Sequence, residues 1–157
     1  MRRQPETRPV MALAGPLALG LLLMVATSVS GCAPPSRTVN VSRQAGLAEA
    51  SRLEIAELAT EPEGHYEPRL TISDPSVLGR LAAALDTDLP LLPLLDCPAE
   101  YRLSFVLRTG EVQEFNYYCL EGPSFLHGAQ GFWSGQGVQP PDQFDAAMSD
   151  LLETLPD

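Results

Sequence analysis

Residues 101–120 read YRLSFVLRTGEVQEFNYYCL, and this stretch decides the fold. Tyr101, Leu103, Phe105 and Leu107 alternate with Arg102, Ser104, Val106 and Arg108, the period of two that puts one face of a strand in a core. Thr109-Gly110 supplies a turn, and Val112, Phe115, Tyr117 and Cys119 form the returning strand of a hairpin. With Leu107 opposite Val112, a regular ladder would set Phe105 against Glu114 and Leu103 against Asn116. A bulge near Gln113-Glu114 would restore the phase, pairing Phe105 with Phe115, Leu103 with Tyr117 and Tyr101 with Cys119.

Upstream, RLEIAELAT (52–60) mixes helix formers with the alternation of Leu53 and Ile55, and reads as a strand. EPEGHYEP (61–68) reads as a turn or loop, and RLTIS (69–73) as a second short strand. Asp74-Pro75 then opens a helix, because Asp caps free N–H groups and Pro lacks the N–H that a first helical turn leaves unbonded. Val77, Leu78, Leu81 and Leu85 give that helix, at about 74–85, one apolar face. LPLLPLL (89–95) is apolar but holds Pro90 and Pro93, and reads as an extended crossing of the core. Residues 121–141, with five Gly and three Pro, read mostly as loop. Phe144, Met148, Leu151 and Leu155 mark a closing helix at about 141–155. The fold class expected is α+β: a small antiparallel sheet of about four strands packed by two helices.

The chain has 157 residues and a net charge of −10, and all ten of its cations are Arg. That length holds one domain of ordinary size. An acidic chain without a basic cluster is ill suited to displace phosphate counterions, so no nucleic-acid partner is expected. Much of the apolar content sits at the start. Arg2, Arg3 and Arg8 precede a stretch, Pro9 to Ser36, without a single charge. A positive beginning, an apolar middle and small residues before a cut are the parts of a secretory signal. The 20 residues from Val10 to Val29 are also long enough to span a bilayer, which keeps a transmembrane anchor as the alternative.

The end of that run, Val29-Ser30-Gly31-Cys32, resembles the lipobox of bacterial lipoprotein precursors. The resemblance covers this N-terminal fifth alone. It implies that residues 1–31 are a cleaved signal peptide and that Cys32 becomes the lipidated, N-acylated first residue of a protein anchored in the cell membrane or outer membrane. The mature chain would hold seven Arg against nineteen Asp and Glu, a net charge of −12. Such a body is repelled by anionic headgroups, so the acyl chains must hold it. Residues 32–46, polar and with two prolines, read as a flexible tether reaching tens of ångströms, and 47–157 as a single globular domain.

Three cysteines are an odd number for an exported protein, but giving Cys32 to lipid leaves the pair Cys97 and Cys119. Outside the cytosol this pair is expected to form a disulfide. Neither sits in a C-x-x-C motif or near a His, so a metal or redox role is disfavoured.

Little in the mature sequence points to catalysis. His65 and His127 are its two histidines, and Ser124, three residues before His127, lacks a G-x-S-x-G elbow. Asp86, Asp88 and Asp96 lack the Gly and terminal Glu of a calcium loop. No metal and no cofactor are expected. The remaining feature is the loop carrying Phe125, His127, Gln130, Phe132 and Trp133, whose aromatics suit a sugar face or a partner side chain. The competing reading folds Trp133 inward to close the core. The function expected is a non-catalytic binding or structural module of the cell envelope, with an envelope protein or glycan as partner. The alternative is a small extracytoplasmic hydrolase.

Overall fold

The computed structural model describes residues 37–59, 64–94, 99–118, 123–128, 133 and 135–155. In chain order its elements are β1 (Thr38–Asn40), α1 (Val41–Ala45), β2 (Ala50–Leu58), β3 (Tyr66–Ile72), α2 (Pro75–Ala84), β4 (Asp88–Pro90), β5 (Leu92–Pro93), β6 (Tyr101–Leu107), β7 (Val112–Tyr118), β8 (Phe125–Gly128), β9 (Gln136–Gly137) and α3 (Asp142–Leu152). The main sheet is antiparallel and five-stranded, in the order β3-β2-β6-β7-β8. Two small ribbons, β1-β4 and β5-β9, stand beside it. The architecture is α+β, as the sequence pattern implies.

The alternation read from the sequence sets the inner face of the sheet. Leu53 and Ile55 of β2, Leu103 and Phe105 of β6, and Phe115 and Tyr117 of β7 are all buried, and α2 and α3 supply the layer against them. Helix α2 begins as its cap chemistry predicts. The Ser76 N–H donates to Asp74 Oδ1 at 2.8 Å, Pro75 follows the cap, and Leu78, Leu81 and Leu85 turn inward. In α3 the buried residues are Phe144 and Met148, and the Phe144 ring meets Tyr117 edge-on with centroids 5.9 Å apart.

The hairpin register departs from expectation. Leu103 pairs with Phe115, Tyr101 with Tyr117 and Phe105 with Gln113, in an unbroken ladder. The extra residue that fixes the phase lies in the turn, not at Gln113-Glu114. Leu107 N–H donates to Glu111 O, Gly110 N–H donates to Leu107 O, and Gly110 has φ +86°. This is a three-residue connection ending in a left-handed glycine bulge. A loop of odd length keeps 103 and 115 in phase with no defect in the strand. Phe105 and Phe115 still meet, as diagonal neighbours with ring centroids 6.1 Å apart.

Three further expectations are corrected. The folded body begins well before residue 47. β1 pairs with β4, Val39, Val41 and Ala45 are buried, and Leu91 N–H donates to Arg37 O at 2.8 Å. Asn40 caps α1 by accepting from Arg43 N–H at 2.9 Å, and Gly46 ends it at φ +64°. Asp86 Oδ1 accepts from Asn40 Nδ2 at 2.9 Å and from Arg43 Nε at 2.8 Å, and these bonds, Asn40's first, hold its carboxyl below the usual range. So residues 38–46 are not tether, because two caps and three inward apolar side chains outweigh their polar composition. Residues 89–94 do not cross the core. Leu89 is buried in the β1-β4 ribbon while Leu94 is exposed, since the prolines confine the segment to short edge pairs. Finally, residues 121–141 contain the fifth strand, β8, and the strand expected at 69–73 starts at Tyr66.

Candidate functional site

The sequence-chosen loop divides once it is placed in the fold. Phe125 is 2% exposed, and its ring packs against Tyr118 with centroids 6.1 Å apart. It is packed inward, with almost none of its surface open to solvent. His127 pairs through the backbone with Asn116 and is half-buried, and loss of water around the ring lowers its pKa. Gln130 and Phe132 lie outside the described residues, as do Cys32, Cys97 and Cys119 and the segment 1–31.

Trp133 is half-buried and adopts φ +63°, a left-handed conformation that is uncommon for a bulky side chain. Its ring tilts over Phe115 at 6.0 Å, so one side rests on the core. Its indole N–H donates to Gln44 Oε1 at 3.1 Å, joining a residue of α1 to one 89 positions later in the chain. Packing and presentation are therefore both realised in one side chain.

A polar cleft of about 290 Å³ opens beside this indole, lined by Arg37, Thr38, Gln44, Leu91, Trp133 and Gln136. Arg37 and Gln44 come from the segment that reads as tether, and no sequence signal marks them. Asn40 and Gly46, which bracket a helix of five residues, are the features that place them. Arg43, Arg52, Arg69 and Arg108 each lie within 3.3 Å of a carboxylate oxygen. Arg37 is exposed and makes no ion pair with a described residue. The cleft thus holds a guanidinium, two amides and an aromatic face, a donor-rich set suited to a small anion that also carries hydroxyl groups.

The serine weighed as a nucleophile has other work. Ser124 Oγ donates to Asp145 Oδ2, and Tyr117 Oη donates to Asp145 Oδ1 at 2.9 Å. One carboxylate in the first turn of α3 thereby ties the helix to β7 and to the residue before β8. Among the described residues no three His, Cys, Asp or Glu side chains converge as metal ligands. A second depression of about 270 Å³, between Leu92, Leu94, Pro123 and Phe125, is apolar.

Comparisons with protein-family models, curated proteins and solved structures find no match to this chain. Its functional reading therefore rests on its own residues.

Proposed function

We propose that this chain is a lipid-anchored extracytoplasmic bacterial lipoprotein whose folded domain is a non-catalytic binding module of the cell envelope, with the Arg37–Trp133 cleft as its binding site. The observation that carries the reading is the uncharged run from Pro9 to Ser36 with Val29-Ser30-Gly31-Cys32 inside it. It has the composition of a secretory signal and the small-small-Cys ending at which a lipid is attached. The cleft supports a binding role because its polar groups are hydrogen-bond donors and amides, while the Ser124 hydroxyl is engaged with Asp145. A general base beside a free nucleophile would favour a hydrolase instead.

Mass spectrometry of the protein extracted from membranes tests the anchor. The expected N-terminus is an acylated Cys32. An intact Met1 in that fraction overturns the reading and leaves the segment as a spanning anchor. The same sample tests the thiols. In the proposed mature protein Cys97 and Cys119 are joined, so alkylation without reductant should modify neither, and alkylation of both removes the disulfide.

A further inference from the structure

The fold changes what a lipid on Cys32 would mean. The folded body already includes Arg37, whose carbonyl accepts from Leu91 N–H, and does not start near residue 47. Only residues 33–36 then separate the lipidated residue from Arg37. Five Cα steps, fully extended, reach at most about 18 Å. Arg37 is itself a wall of the cleft, so that wall lies within this short chain reach of the residue that would carry the lipid.

Charge along the chain has the matching sense. From Cys32 to Ala48 there are two Arg and no acidic residue, whereas residues 49–157 carry five Arg and nineteen Asp or Glu. The acidic body is repelled by an anionic membrane, but the first seventeen residues of the proposed mature chain are not. Of those two cations, Arg43 is paired with Asp86 and Arg37 is not paired with a described residue. The cleft's indole belongs to a residue type that collects at membrane–water interfaces, apolar on its face and polar at its N–H.

We propose that the Arg37–Trp133 cleft binds the phosphate-bearing headgroup of an anionic glycerophospholipid in the membrane that anchors the protein. Arg37 takes the phosphate through charge-assisted hydrogen bonds, and the Gln44 and Gln136 amides, with the Thr38 hydroxyl, take the headgroup hydroxyls. The indole face closes one wall. The space is adequate, since about 290 Å³ is the volume of roughly ten waters at about 30 Å³ each, comparable with the roughly ten non-hydrogen atoms of glycerol phosphate. This assignment rests on the lipid-anchored reading for its source of ligand, but its test does not.

Trp133 is the one tryptophan of the chain, so its fluorescence reports on the cleft directly. Protein expressed from the whole sequence and purified from membranes in a neutral detergent is titrated with phosphatidylglycerol or phosphatidylcholine in the micelles, and separately with glycerol phosphate and inorganic phosphate in solution. Phosphatidylglycerol should shift the emission to a saturable end point and phosphatidylcholine should not. Arg37→Gln should raise the half-saturating phosphatidylglycerol concentration about tenfold or more while the melting temperature stays within a degree or two, since the Arg37 side chain is exposed. No response to phosphatidylglycerol, an equal response to phosphatidylcholine, or an unchanged Arg37→Gln titration overturns the proposal. Saturation by inorganic phosphate at the same concentration as by phosphatidylglycerol overturns the lipid source and leaves an anion site. An unacylated N-terminus with headgroup binding intact would refute the anchor and spare the cleft, so the two failures are distinguishable.

Discussion

The β6-β7 hairpin and the return through β8 and β9 place strands in one body by different means. In the hairpin the strands are seven residues each, the buried residues fall at every second position (Leu103, Phe105 and Leu107; Phe115 and Tyr117), and the turn joins immediate neighbours in sequence. In the return, β8 has four residues and β9 two, and they are held by what lies around them. Leu126 and Val138 exchange both backbone hydrogen bonds, at 2.8 and 2.9 Å, and a Cβ at Gly137 would fall 2.4 Å from the Phe125 ring and 2.7 Å from the Leu126 carbonyl. The hairpin is specified by its own pattern. The return is specified by the close backbone approach of Gly137 and Val138 to β8.

The sharpest way to break that contrast is at Phe125. If the return is core, Phe125→Ala should destabilise the protein by about 3–5 kcal/mol, the range for a buried aromatic, read from chemical denaturation. A loss under about 1 kcal/mol would return Phe125 to the surface and the segment to a loop. Asp145→Ala removes the carboxylate that accepts from Ser124 and Tyr117 and should cost about 3 kcal/mol by the same measurement, the low end for two hydrogen bonds to a charged group at about 1.5–3 kcal/mol each. Asp145→Asn keeps an acceptor and should recover part of the loss.

The two glycines separate the two mechanisms. Gly137→Ala forces a methyl against a ring and a carbonyl, and overpacking of this kind costs about 1–3 kcal/mol. Gly110→Ala meets open space, and its cost, about 1 kcal/mol, comes from the left-handed φ alone. Equal thermal shifts for the two variants would remove the distinction between close approach in the return and turn geometry in the hairpin.

The smallest effect is a pH dependence at His127. Desolvation lowers the pKa of this imidazole in the folded chain, so as pH falls the unfolded chain takes up the proton first. Its share of stability is complete above about pH 6.5 and is lost as the pH drops through the lowered folded value. Melting temperatures measured from pH 7.5 to 5 should fall less for His127→Gln than for the parent chain. Parallel curves would place the imidazole in water.

Sequence alone determined the elements whose cause is local. The period-two placement of Tyr101, Leu103, Phe105 and Leu107 made β6, the Asp74-Pro75 pair opened α2 at the right residue, and the spacing of Phe144 and Met148 turned α3 inward. It also determined the composition of the first thirty-two residues, on which the envelope reading depends. Only the tertiary structure decided where the body begins, where the hairpin takes up its odd residue, and what the glycine-rich return is for. Each of those depends on groups far apart in the chain. Val39 needs Leu89 as a partner, Gly137 needs the Phe125 ring, and the Trp133 indole needs Gln44. The cleft assembles from residues 37, 44, 91, 133 and 136, none of which has the others within reach until β1, α1 and the return are packed, so no local period or motif could announce it.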